Sequence, residues 1–357
     1  MTSSIKTFTV GYNPINKSNV FRSGDTVTGQ ILVETSKECT VSSLWVKLKG
    51  KATVKWTETY GRTVVTYYDK EKYFSIKTEV IHEGRGNNIL RAGNNVFPFT
   101  FQIPAQDLPP SFKGSCGKIK YTLKANLSRS MRTDSKAKAV LTVVHQASLN
   151  SDPILMSPQH ESTSKKMKLF SSGNVSLDVK LERTGYIQGQ GIMVVATIEN
   201  KTSRDIRPKY CLYKKYSYFA KGNRRVETKD IVKEVGETIS PLSYQTVSKV
   251  ITIPPDTCVS IQNCKILKAE YRLRVYLDVK YASDPEIKFP ISILPVVPTS
   301  DEMAAPPPAY GFDAFSQTNF GGNVLPPAPM YDSPYALPPA YTPYSTYPSL
   351  ADFNEKS

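Results

Sequence analysis

Val46-Lys47-Leu48-Lys49-Gly50-Lys51-Ala52-Thr53-Val54-Lys55-Trp56 decides the fold class. Apolar side chains recur at every second position, and lysines stand between them. A strand turns successive side chains to opposite faces, whereas a helix repeats every 3.6 residues. The stretch therefore predicts half-buried strand with an apolar inner face and a basic outer one, running across a turn-like Gly50. The same alternation recurs at Phe97, Phe99, Phe101 and Ile103, at Val175, Leu177, Val179 and Leu181, and at Tyr271, Leu273, Val275, Leu277 and Val279. Trp56, Phe99 and Phe101 are core candidates. No 12-residue window carries a capped helical stripe. The expected fold class is all-β, two tandem antiparallel, immunoglobulin-like β-sandwiches followed by a disordered Pro/Tyr-rich tail.

An internal repeat supports two sandwiches. Ile103-Pro104 answers Ile253-Pro254, and Tyr121-x-Leu123-x-Ala125-x-Leu127 answers Tyr271-x-Leu273-x-Val275-x-Leu277, both at an offset of 150. Phe21-x-x-Gly24-x-x-Val27 answers Tyr186-x-x-Gly189-x-x-Ile192 at an offset of 165. The 357-residue length also suits two domains.

Composition sets the expected boundaries. Residues 301–357 hold 11 of the 26 prolines and six tyrosines. Six acids against one base leave this tail at −5, so residues 1–300 carry 45 bases against 25 acids, or +20. Such a segment buries too little apolar surface to offset chain entropy. The expected layout is a first sandwich over 5–147, a linker over 148–172, a second sandwich over 173–295 and a tail over 296–357. Met1–Val20 has no apolar core of a signal peptide, and no run suffices to span a membrane. Five scattered cysteines suit a reducing compartment. A cytoplasmic protein is expected.

Taken together, the motifs resemble the α-arrestins, the arrestin domain-containing proteins. The resemblance rests on Ser23-Gly24-Asp25-Thr26-Val27-Thr28-Gly29, on the Val46–Trp56 stretch and on Ala92-Gly93 … Phe97-Pro98-Phe99 … Ile103-Pro104 … Leu108-Pro109 … Ser111-Phe112. In the second half Gly185-Tyr186 … Gly189, Ile198-Glu199-Asn200 and Ile253-Pro254-Pro255 fit equally well. It covers roughly residues 5–295. It implies two arrestin-like sandwiches and an adaptor role in membrane-protein traffic, at the plasma membrane and endosomes.

Two tail motifs carry the most specific chemistry: Pro307-Pro308-Ala309-Tyr310 and Pro338-Pro339-Ala340-Tyr341. Adjacent prolines pre-set φ for a polyproline II helix, whose rings fit between the aromatics of a WW-domain groove. Tyr310 or Tyr341 then adds a ring and a hydroxyl for a second pocket. The expected WW-binding residues are Pro307, Pro308, Tyr310, Pro338, Pro339 and Tyr341. In Pro326-Pro327-Ala328-Pro329-Met330-Tyr331 the tyrosine is displaced. The resemblance implies that the two motifs recruit HECT-type ubiquitin ligases to membrane-protein cargo. An arrestin-fold coat or scaffold subunit is the alternative, and it has no need of two WW ligands.

Lys47, Lys49, Lys51 and Lys55 alternate along one stretch, and Lys214, Lys215, Arg224 and Arg225 crowd another. They are candidates for a surface attracted to anionic lipid or acidic cargo. No nucleic-acid motif is present. No catalytic or metal-binding residue, and no cofactor, is expected. His82, His145 and His160 lack partners at metal-ligand spacing, and no Gly-x-Ser-x-Gly nucleophile elbow occurs.

Overall fold

The computed structural model describes residues 4–82, 88–145, 149, 152–166, 173–279 and 284–296. In the first half the strands are β1 (Ile5–Tyr12), β2 (Val20–Phe21), β3 (Thr26–Thr35), β4 (Cys39–Thr40), β5 (Ser43–Tyr60) and β6 (Thr63–Ile81). They continue as β7 (Ile89–Leu90), β8 (Gly93–Gln102), β9 (Phe112–Lys113), β10 (Gly117–Ser128) and β11 (Ser135–Val143). A short helix α1 (Pro153–Met156) precedes β12 (Gln159–Lys166), β13 (Asn174–Leu181), β14 (Gly185–Ile187), β15 (Gly191–Asn200) and β16 (Arg207–Ala220). The last strands are β17 (Asn223–Val235), β18 (Ser243–Thr252), β19 (Leu267–Asp278) and β20 (Glu286–Leu294).

The first sandwich packs the sheet β1-β3-β8 against β2-β11-β10-β5-β6. The second packs β12-β13-β15-β18 against β14-β20-β19-β16-β17. Burial follows the expected alternation: Val46, Leu48, Val54, Leu123 and Leu127 are fully enclosed, as are Val175, Leu177, Leu273 and Val275. Phe99 and Phe101 are both buried, their rings 5.7 Å apart. Trp56 stacks on Tyr67 at 5.0 Å.

The sequence repeat is a repeat of structure. Gly24 and Gly189 both take left-handed φ, +87° and +82°, at the turns before β3 and β15. The Ile103 amide donates to Asp25 O and the Ile253 amide to Gln190 O, each at 2.9 Å. The Tyr121 hydroxyl donates to the Pro109 carbonyl at 2.6 Å, and the Tyr271 hydroxyl to the Cys258 carbonyl. In each half one short strand pairs in parallel at the sheet edge, β2 with β11 and β14 with β20.

Two expectations are corrected. Gly50 is not a turn. It lies inside β5, one continuous strand of 18 residues, at a bulge against β6. A Cβ at Gly50 would stand 2.7 Å from Tyr121 Cε1 and 2.8 Å from Phe74 Cε1, so the glycine makes room for two rings. The second correction concerns 148–172, read as connection. Within it β12 pairs along its length with β13, from Gln159↔Leu181 to Lys166↔Asn174. Its sequence, Gln-His-Glu-Ser-Thr-Ser-Lys-Lys, is polar because β12 is an edge strand with mostly exposed side chains.

The two sandwiches share a core. Tyr216, Tyr218, Ile266 and Leu267 of the second half pack into the first hydrophobic cluster. Phe112 meets Tyr216 edge-on at 5.2 Å. Backbones approach closely here: a Cβ at Gly117 would lie 2.7 Å from Leu267 Cδ1. Polar contacts finish the joint. Ser115 donates to the Glu227 carboxylate, and Glu71 accepts from the Lys265 amide at 2.8 Å.

Candidate interaction surfaces

Strand register gathers the first group of lysines. Lys47 of β5 lies opposite Lys124 of β10 and Lys77 of β6, and Lys124 lies opposite Lys138 of β11. Lys51 lies between Lys120 and Lys72 in the same way. Thr53 separates Lys118 from Lys70. The inner faces of these strands fill the core, so the lysine rows stand on the outer face of the sheet. Lys47, Lys49 and Lys51 are half-buried by their neighbours, and Lys55 is exposed. Burial and the charges of Lys51, Lys72, Lys47 and Lys70 hold the Lys49 ammonium below its ordinary pKa.

Trp45 sits on this face, one step from the lysine row. The ammonium groups of Lys47, Lys77 and Lys124 lie 5.1, 5.4 and 5.8 Å from its ring centroid. Sequence reading passed over Trp45, although its odd-numbered parity with Lys47 places it outward. The lysines of β6 and β11 were missed as well, because only pairing across strands brings them alongside β5.

The second basic group does not form one surface. Lys214 and Lys215 are consecutive on β16 and point to opposite faces. Lys215 and Arg224 share one: Lys215 pairs with Glu270 at 3.7 Å, and Arg224 donates to Ser217 Oγ at 2.8 Å. Lys214 lies over the Tyr216 ring at 4.8 Å, and Arg225 pairs with Glu227 at 3.5 Å beside the joint. Lys214 also lines a cleft of about 480 Å³ with Lys113, Lys229 and Cys258.

Three thiols, those of Cys116, Cys211 and Cys264, sit in surroundings that suppress ionisation. Burial above all pushes them upward, and nearby Glu227, Asp230 and Glu71 push the same way. Each histidine meets one carboxylate: His160 with Asp178 at 2.7 Å, His82 with Glu79 at 3.1 Å, and His145 with Asp107 at 3.4 Å. Among the described residues no group of three or more His, Cys, Asp or Glu side chains could hold a metal ion. No helix among them is long and apolar enough to cross a membrane. Pro307, Pro308, Tyr310, Pro338, Pro339 and Tyr341 lie outside the described residues.

Comparison with known proteins agrees with this architecture. Residues 8–150 match the arrestin (or S-antigen) N-terminal domain, and residues 171–298 match the arrestin (or S-antigen) C-terminal domain. Arrestin domain-containing protein 4 of Mus musculus is 32% identical over 284 residues, 76% of this chain and 68% of that protein. The Homo sapiens counterpart is 31% identical over 288 residues, 78% of this chain and 68% of that protein. Thioredoxin-interacting protein of Homo sapiens is 30% identical over 305 residues, 82% of this chain and 75% of that protein. The chain belongs to the arrestin family, on its α-arrestin (arrestin domain-containing) branch. Its role is that of an arrestin-like trafficking adaptor.

Proposed function

We propose that the chain brings a ubiquitin ligase to membrane-protein cargo. The two Pro-Pro-Ala-Tyr motifs bind the WW domains of a HECT-type ligase through Pro307, Pro308, Tyr310, Pro338, Pro339 and Tyr341. The two-sandwich body binds the cargo. Ubiquitin transferred by the ligase then marks the cargo for endocytosis and endosomal sorting. The chain works in the cytoplasm, peripheral to the plasma membrane and endosomes, and contributes no catalytic group of its own.

One observation carries this reading: two identical WW ligands follow an arrestin-type body in the same chain. Polyproline II segments have little conformational freedom left to lose, so short motifs suffice for recognition. A coat or scaffold subunit would not need them. The test is capture from cell lysate by the full chain and by the Tyr310→Ala/Tyr341→Ala variant. A WW-containing ligase captured by the first and lost from the second supports the reading. Equal capture by both overturns it.

A further inference from the structure

We propose that the outer lysine face of the first sandwich is a membrane-docking plane for anionic lipid, with Trp45 as its interfacial anchor. This rests on the adaptor reading and deepens it, by assigning the lipid contact to one face of β11-β10-β5-β6 and not to the second sandwich.

Four observations converge on that face. First, like charges stand directly opposite one another across strands, in the rows Lys138–Lys124–Lys47–Lys77 and Lys120–Lys51–Lys72. Such pairs destabilise a sheet, so a merely solvated face would be expected to intersperse acids among them. Second, Lys77–Glu79 at 2.7 Å is the ion pair on these rows among the described residues. The carboxylates Glu79 and Asp134 lie toward one end, beside Trp45 and Asn126. On the second sandwich, by contrast, Lys209, Lys215, Arg225, Lys233 and Lys249 are each paired with an acid.

Third, the cations are lysines throughout. Arginine's planar fork recognises individual phosphates in a fixed geometry, whereas lysine is a hydrated point charge. Rows of point charges on an open sheet match the diffuse field of an anionic bilayer better than the fixed phosphates of a nucleic acid. Fourth, a half-buried tryptophan among lysines combines an apolar ring with a donor N–H, the amphipathic character that places tryptophan at membrane–water interfaces. Each basic residue at an anionic surface adds to binding, and the sum is screened by salt.

The experiment is co-sedimentation of the full chain with phosphatidylcholine vesicles, with and without phosphatidylserine, over a range of salt. The wild-type chain should bind only the anionic vesicles and release as salt rises. Lys47→Gln/Lys51→Gln/Lys72→Gln/Lys124→Gln should weaken binding at least about tenfold. Lys214→Gln/Lys215→Gln/Arg224→Gln/Arg225→Gln should stay within about twofold of wild type. Trp45→Ala should weaken binding less than the four-lysine change and leave its salt dependence unaltered. The thermal midpoint of each variant confirms folding, and the outward side chains make loss of the fold unexpected. Unaltered binding by the first-sandwich variant overturns the proposal. So does equal binding to neutral vesicles, or tighter binding to an acidic peptide or RNA that displaces the vesicles. Ligase capture through the tail is read on the same variants. If capture persists while vesicle binding fails to follow the lysines, the membrane plane is wrong and the adaptor reading stands.

Discussion

Gly29, the last residue of the Ser23–Gly29 motif, is held by packing. A Cβ there would meet Gly11 O at 2.2 Å, Phe99 Cζ at 2.6 Å and Tyr12 Cα at 2.9 Å, and two of these atoms are backbone. Gly29→Ala must push β1 from β3 and should cost at least about 1–3 kcal/mol. Gly93→Ala meets no atom within 4 Å but sits at φ +103°, so its cost is backbone strain alone. Chemical denaturation compares the two, and a smaller loss at Gly29 would contradict the packing account. Phe99→Ala and Phe101→Ala each empty a buried ring site and should cost about 3–5 kcal/mol. Asn200, fully buried in the Ile198-Glu199-Asn200 motif, clamps a loop. Its amide donates to Arg204 O at 2.8 Å and Ser240 O at 3.0 Å, and its carbonyl accepts from Thr202 N at 3.0 Å. Asn200→Ala orphans these groups and should lower stability by about 1–3 kcal/mol. An unchanged midpoint would show that water replaces the clamp.

Strands were legible where one face is buried and the other wet, because period two then appears in the sequence. That is why β5, β8, β13 and β19 were readable. The same logic hid β12, whose two polar faces leave no alternation, and it misread Gly50, since sequence does not distinguish a glycine that turns from one that yields space to Tyr121 and Phe74. The lysine face was half legible. Lys47, Lys49 and Lys51 announce an outward row, but Lys72, Lys77 and Lys138 join it only through register. Crowding on that face has a pH signature. Lys49 has a folded-state pKa below the ordinary 10.5, so between the two values the unfolded chain binds the extra proton. Stability contributed at this site therefore rises with pH across that window. Lys49→Gln should raise the melting temperature near neutral pH, by an increment that shrinks as pH approaches 10.5. A lower melting temperature at neutral pH would show that Lys49 is stabilised by its surroundings. At the joint, Gly117→Val would drive a side chain into Leu267 and Tyr218. Because the sandwiches share a core there, the intact chain should melt in one transition that this change lowers. Two well-separated transitions in the wild type would contradict the shared core.

Across the whole molecule, a basic body precedes an acidic tail, and the proposed function expects the two tail motifs to act as a pair. Twenty-seven residues separate Tyr310 from Pro338. For a generic linker of that length the r.m.s. reach is about 26–31 Å, so the proposed function expects neighbouring WW domains of one ligase to engage both motifs at once. A tether of this length gives an effective concentration near the millimolar range and an avidity gain of about 10²-fold or more. Against a single isolated WW domain, Tyr310→Ala or Tyr341→Ala should each cost only about twofold, since one site remains. The most direct measurement is the affinity of the full chain for a tandem-WW fragment of a HECT-type ligase, with each tyrosine changed alone and then together. The adaptor account predicts a strong loss for each single change and near-abolition for the double change. Undiminished binding by the Tyr310→Ala/Tyr341→Ala chain would contradict it.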